Sequence, residues 1–215
     1  PTRYYFPGLS QRAFFPREQF PWLEELEART GAIRAELQGL LSREGSFNPY
    51  LEVDKSTPEL NDRSNLGSME WSACYLWKAG GLVEENAAAC PRTVEALAAV
   101  PLCVVPGQMP SALFSRLAPG ATIVPHHGLV NTRLICHLPL IVPQNCGALR
   151  VGNYQREWVE GEALVFDDSM EHEAWNRAQS ERVVLLFDVW RPELSAEERH
   201  WVSHMLQAVD AYGVS

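Results

Sequence analysis

Residues 111–151 read SALFSRLAPGATIVPHHGLVNTRLICHLPLIVPQNCGALRV, and this stretch decides the fold class. Short β-prone runs at Ala112–Leu117, Ala121–Val124, Thr132–Val142 and Ala148–Val151 alternate with turn residues at Pro119-Gly120, Gly128 and Asn145 to Gly147. Aliphatic and β-branched runs of this length, bounded by Gly, Pro and Asn, read as strands joined by tight turns. The texture continues at Ala163–Phe166 and Arg182–Trp190, set off by Gly152-Asn153 and Gly161. Many short strands at even spacing predict a mainly β chain with flanking helices, its core a jelly-roll or cupin-like barrel of about 80 residues.

Working outward, helices are expected at both ends. Residues 1–20, rich in aromatics and proline, are expected to wrap over the body as an extended arm. From Pro21 to about Glu44 apolar residues (Leu23, Leu26, Ile33, Leu37, Leu40, Leu41) recur at helical spacing, which predicts one long amphipathic helix. Residues 45–68 read as a surface loop that lies over the active site. Trp71 to Trp77 reads as a strand, and Pro91 to Val100 as a short helix with proline in its first turn. Ser195 with Glu198 makes a capping box that starts a helix through about Tyr212. The expected organisation is a single unit over 1–215: a helix-and-loop buttress (1–110), the β core (111–194) and a C-terminal helix (195–215).

Composition narrows the function. The chain has 215 residues, 46% of them hydrophobic, so it can bury a sizeable core. A net charge of −9 argues against a nucleic-acid surface and against docking on anionic lipid. No stretch approaches the roughly 18–20 continuous apolar residues of a membrane helix, and no signal-peptide pattern opens the chain. The first residue is Pro1 rather than Met, which points to a trimmed start that could have carried an anchor or targeting signal. Cys74, Cys90, Cys103, Cys136 and Cys146 form no CxxC pair and are expected to be free thiols in a reducing compartment, the cytoplasm.

Two histidines carry the chemistry. His126 lies in Pro125-His126-His127-Gly128, and His172 in the run Phe166-Asp167-Asp168-Ser169-Met170-Glu171-His172-Glu173-Ala174-Trp175. His126 precedes a turn and His172 begins a late strand, places that can meet at the mouth of a small barrel. Two imidazoles can hold one metal and leave positions open for reactants. Arg182, ten residues on, heads the apolar run Val183 to Phe187, where a charge needs an anionic partner. That partner is either the far carboxylate of an organic acid, which the planar guanidinium fits with two bonds, or a neighbour such as Glu181 at an exposed strand start. This is the layout of an iron(II) and 2-oxoglutarate oxygenase with one part missing. The facial triad adds a carboxylate, usually two residues after the first histidine, and that position is Gly128.

Several side chains stay open at this level. His127 competes with His126, since neighbours on an extended chain face opposite ways. Asp167, Asp168 and Glu171 are either carboxylate ligands or, better, partners that orient His172. Ser115 can add a hydroxyl donor for the acid. His137, in an apolar run, either donates to a metal-bound carboxylate or is a satisfied core histidine. Trp175 either shields the site or packs the barrel.

From Ser115 to Glu193 the chain resembles the catalytic domain of aspartyl/asparaginyl β-hydroxylases. The resemblance rests on Ser115 with Ala118-Pro119-Gly120, Pro125 to Gly128 with Asn131, Arg133, His137, Trp158 to Glu162, the Phe166 to Trp175 run, Arg182, and Asp188 to Leu194, with a weaker match back through Trp77 and Glu85 to Ala87. It implies a double-stranded β-helix, iron(II) on His126 and His172 with glycine at the third position, and 2-oxoglutarate held by Arg182, Ser115 and His137. It implies a dioxygenase that uses O2 to hydroxylate an unactivated carbon, here the β-carbon of Asp or Asn in a peptide or small molecule. One departure stands out: animal members carry an arginine where this chain has Ile135, and basic residues where it has Gly80 to Val83. Rival readings are another amino-acid or lipid substrate, a halogenase, or a non-catalytic cupin-like binder of a metal or small acid.

Overall fold

The computed structural model describes residues 1–51 and 66–213. Eight strands form two facing antiparallel sheets, and the chain crosses between them. One sheet contains β4 (Ala112–Leu117), β6 (Arg133–Ile141), β9 (Leu164–Phe166) and β11 (Arg182–Trp190) in the order β4-β11-β6-β9; the other contains β5 (Thr122–His126), β7 (Ala148–Val151), β8 (Tyr154–Glu157) and β10 (His172–Trp175) in the order β5-β10-β7-β8. This is a double-stranded β-helix. Three runs keep the expected bounds (β4, β7, β11), while β8 was not foreseen because Tyr154–Glu157 is polar and exposed on every residue.

The larger sheet reaches back beyond residue 111. β1 (Asn48–Pro49) pairs with β2 (Trp71–Lys78), β2 pairs with β4, and β3 (Gly81–Leu82) pairs with β2. The first 110 residues are therefore not only buttress. The long helix also divides, into α1 (Leu23–Ala28) and α2 (Thr30–Leu41), at Arg29 with ψ near 0°. The Thr30 hydroxyl donates to the Glu27 carbonyl at 2.6 Å, competing with the backbone for that acceptor. A short α3 (Glu84–Ala89) leads into α4 (Pro91–Ala98). α5 (Ala196–Gly213) starts at the expected box: the Ser195 amide donates to Glu198 Oε2 at 2.7 Å and the Glu198 amide to Ser195 Oγ at 3.2 Å.

Strand alternation sorts the large sheet into two faces. Leu134, Cys136 and Leu138 of β6 and Val183, Leu185 and Phe187 of β11 point outward onto Leu23, Leu26, Ile33, Leu37 and Leu40 of α1 and α2. The other face packs onto the small sheet through Ile135, Phe166, Val184, Leu149, Val151 and Ala174. With helices on one side and a sheet on the other, β11 is buried along nearly its whole length. Each fully buried aliphatic side chain contributes about 1.5–3 kcal/mol. The N-terminal arm bridges Val130, in the loop between β5 and β6, through Tyr4, and the edge strand β9 through Phe14 to Phe166. Arg191 pins it, donating to Ser10 O (2.6 Å) and to buried Asp167 (3.0 Å). All five cysteines are buried and free.

The loop expected over 45–68 falls largely on residues outside those described. Its flanks are anchored: Leu51 bridges Leu66, and the Tyr50 ring stacks on Trp71 at 3.8 Å. Among the described residues no helix is long and apolar enough to cross a membrane.

Candidate functional site

β5 and β10 run side by side with His126 directly opposite His172, and the two rings lie 4.0 Å apart, centre to centre. The backbone sets their tautomers. His126 Nδ1 lies 2.8 Å from the Val124 carbonyl oxygen and His172 Nδ1 3.0 Å from that of Met170. A carbonyl only accepts, so each Nδ1 carries the proton and each Nε2 keeps its lone pair. Burial, followed by the neighbouring imidazole, lowers the pKa of His172 to about 3, and burial lowers that of His126. Both are neutral donors at neutral pH. His127 is exposed, whereas the His126 ring lies against His172.

The acids near His172 do not orient it, contrary to expectation. Asp167 accepts from Ser169 and pairs with Arg191, Glu171 pairs with Arg150, and Asp168 pairs with Arg133 at 2.9 Å. Among the described residues no group of three or more His, Cys, Asp or Glu could hold a metal. Gly128 explains the shortfall. A Cβ built there falls 2.5 Å from Asp168 Cγ and closer still to its Oδ2. A side chain at position 128 would have to displace the Asp168 carboxylate from its pair with Arg133.

Arg182 is 1% exposed, which rules out an exposed strand start. Glu181 does not pair with it; that acid binds Arg116. The Arg182 guanidinium sits over the Trp158 ring at 4.6 Å and donates to the Ser115 carbonyl at 3.3 Å, while its Nε has no partner. Among the described residues no carboxylate pairs with it, and burial lowers its pKa to about 10. An unpaired buried cation is costly, and a fork with a free N–H calls for a planar anion.

Two donors flank that fork. Trp71 Nε1 donates to Ser115 Oγ at 3.2 Å, leaving the Ser115 proton free. Trp158 Nε1 donates to His137 Nδ1 at 3.4 Å, which puts the His137 proton on Nε2. Burial first, then the Arg182 charge, drives the His137 pKa well below its usual value, so it acts as a neutral donor. His137 also packs edge-on against Phe166 at 4.9 Å, and Phe166 lies 5.9 Å from His172. The five residues singled out from sequence thus share one interior. Trp175 does not: it packs over Gly147, away from the interior row of His172 and Ala174.

Sequence reasoning missed Tyr50 and Trp71 as walls of the site. The signal was there in part, because Trp71, Ala73 and Tyr75 alternate along β2 and share a face. It also missed the buried triad in which Arg133 bridges Asp168 (2.9 Å) and Asp188 (3.2 Å). Burial raises the Asp168 pKa to about 6.

The sequence profile of the aspartyl/asparaginyl β-hydroxylase family matches residues 27–192. The chain is 36% identical over 189 residues to an ornithine lipid ester-linked acyl 2-hydroxylase of Rhizobium tropici, covering 87% of this chain and 63% of that one. It is 34% identical to human aspartate β-hydroxylase domain-containing protein 2, over 93% of this chain and 53% of that one. It is also 34% identical to human aspartyl/asparaginyl β-hydroxylase, over 82% and 22%. The chain therefore spans less than two thirds of the length of each. With most of its length under the family profile and its jelly-roll core carrying the paired histidines, the chain belongs to the aspartyl/asparaginyl β-hydroxylase family of hydroxylases.

Proposed function

We propose that this chain is an iron(II)- and 2-oxoglutarate-dependent dioxygenase that hydroxylates an unactivated carbon. The observation that carries the reading is the pairing of two imidazoles, both with free Nε2 lone pairs, with a fully buried guanidinium that has no acid partner among the described residues. Imidazole donors suit ferrous iron, and with no carboxylate contributed at Gly128, two histidine ligands would leave coordination positions for reactants.

His126 and His172 would hold the metal. Arg182 would take the far carboxylate of 2-oxoglutarate, with the Ser115 hydroxyl donating beside it. His137 Nε2–H would donate to the carboxylate next to the keto group. When bound, the metal and keto acid supply the oxidation: C–H, O2 and 2-oxoglutarate become C–OH, succinate and CO2. Phe166, Trp71 and Trp158 keep water from the interior and hold the donors in place.

The family supports hydroxylation, and the names of the relatives point to two substrate classes: Asp or Asn side chains, and the acyl chain of a lipid. The test is succinate release with iron(II), ascorbate and 2-oxoglutarate, against a panel of Asp- and Asn-containing peptides, free amino acids and acyl lipids. Succinate formed above the substrate-free rate, one per hydroxylated product, supports the reading. A protein that binds no 2-oxoglutarate would refute it.

A further inference from the structure

We infer that the outward face of α5 carries a second metal site, in which His200 and His204 chelate one borderline divalent cation, copper(II) most tightly and nickel(II) or zinc(II) less so. The site is independent of the proposed dioxygenase chemistry, which uses neither residue.

The helix dictates the pairing. α5 spans Ala196–Gly213, so His200 and His204 lie about one turn apart on the same face, one side chain above the other. Their ring centres are 4.4 Å apart, close to the 4.0 Å that separates His126 and His172. Val202 and Leu206, each two residues from His204, are 3% and 1% exposed and pack into the cluster of Cys103, Val105, Met109 and Val130. Two residues along a helix are about 200° around its axis, so His204 projects from the opposite side. Both histidines are exposed, and a cation can reach their ring nitrogens without opening the fold.

Donor chemistry selects the ion. Imidazole nitrogens suit copper, nickel and zinc, and copper(II) leads the affinity order. Calcium and magnesium ask for oxygen donors instead. Glu197 stands one turn before His200 on the same face, but it does not close a group of three protein ligands, so water completes the sphere. Histidines at this spacing on a helix form a hydrolytic zinc site when a glutamate follows the first of them and serves as the base. Here Trp201 occupies that position, which makes this a binding site without the hydrolytic base. The Trp201 ring lies 5.7 Å from that of His200 and is 63% exposed, so its fluorescence reports on the cation. An ion that ties two successive turns together binds the folded helix better than the unfolded chain and therefore stabilises α5.

The test titrates the whole chain carrying His172→Ala, which disables the other histidine pair, with copper(II) chloride at neutral pH. Calorimetry counts the ions, tryptophan fluorescence reports their place, and hydrogen exchange follows the α5 amides. Copper is expected to bind saturably, to quench fluorescence and to slow exchange in α5, while magnesium does none of these. Adding Trp201→Phe is expected to remove at least half of the quenching. Adding either His200→Ala or His204→Ala is expected to weaken copper binding at least tenfold and to abolish the protection of α5. If the His172→Ala background does not fold, the wild-type chain serves, and its copper stoichiometry should exceed that of His204→Ala by one. Copper binding of equal strength with and without the α5 histidines overturns the inference. So does a loss in only one of the two variants, which marks a lone ligand rather than a chelate, and so does quenching that Trp201→Phe leaves intact.

Discussion

Replacing Gly128 by alanine isolates the contact that leaves the site with two histidines. The new Cβ would fall 2.5 Å from Asp168 Cγ, so the carboxylate must move. Gly128 is not among the glycines with positive φ, so backbone strain adds nothing and the clash accounts for the effect. Moving Asp168 breaks its 2.9 Å pair with Arg133, whose side chains are 7% and 12% exposed. Breaking a buried pair costs about 3–5 kcal/mol, a large share of the roughly 5–15 kcal/mol that holds a domain folded. For a chain of this size that lowers Tm by about 6–20 °C. Urea unfolding and thermal melts of wild type, Gly128→Ala, Asp168→Ala and the double variant give a cycle. With Asp168 truncated, the alanine at 128 should cost less than about 1 kcal/mol, because its neighbour is gone. An equal cost in both backgrounds, or a Gly128→Ala protein as stable as wild type, would refute the argument. Gly128→Asp should fare worse than Gly128→Ala and should not act as a third ligand.

Other outcomes follow from the same geometry. His172→Ala should abolish 2-oxoglutarate turnover and lower bound-iron stoichiometry while leaving the circular dichroism spectrum unchanged; full activity would contradict the assignment. Arg182→Lys should raise the half-saturating 2-oxoglutarate concentration by roughly 10- to 100-fold, the worth of a charge-assisted fork. Arg182→Met should raise the melting temperature of the ligand-free protein, since an unpaired buried cation whose pKa falls to about 10 is removed. The gain is about 1–3 kcal/mol after the lost contact with Trp158, and 2-oxoglutarate should stabilise wild type but not this variant. In the metal-free protein, His126, His137 and His172 have folded pKa values below the ordinary 6.5. As pH falls through about 6.5 the unfolded chain takes up protons that the folded chain refuses, so stability is complete above that pH and is lost below it. For His172, lowered to about 3, the loss continues to about pH 3. Asp168, raised to about 6, and Asp188, also raised by burial, work the other way and offset part of that loss. The urea midpoint should therefore fall between pH 7 and pH 5; a flat or rising midpoint would contradict these directions.

Much of the fold was legible because its signals are local. β4, β7 and β11 could be bounded by apolar runs between turn residues, and the Ser195 and Glu198 box marked the start of α5. The misses have local causes too. Tyr154–Glu157 is polar throughout because β8 is an exposed edge, so no hydrophobic period announced it. The apolar spacing from Leu23 to Leu41 is continuous through Arg29, and only the Thr30 hydroxyl bond to Glu27 signals the break. β2 could be read as a strand but not placed in the large sheet, because β4, its partner in the core, lies about 40 residues away in sequence.

By itself the sequence determined most of the core strands, though not β8, and the residue types whose chemistry suits a metal and an organic acid. These depend on side-chain period and chemistry, which a linear chain carries. Only the tertiary structure decided that His126 stands opposite His172, that among the described residues Arg182 has no acid while Arg133 has two, and that Asp168 fills the space beside Gly128. Those facts concern pairs of residues tens of positions apart. Burial and charge pairing there follow from how two sheets close on each other, and no local pattern encodes that closure.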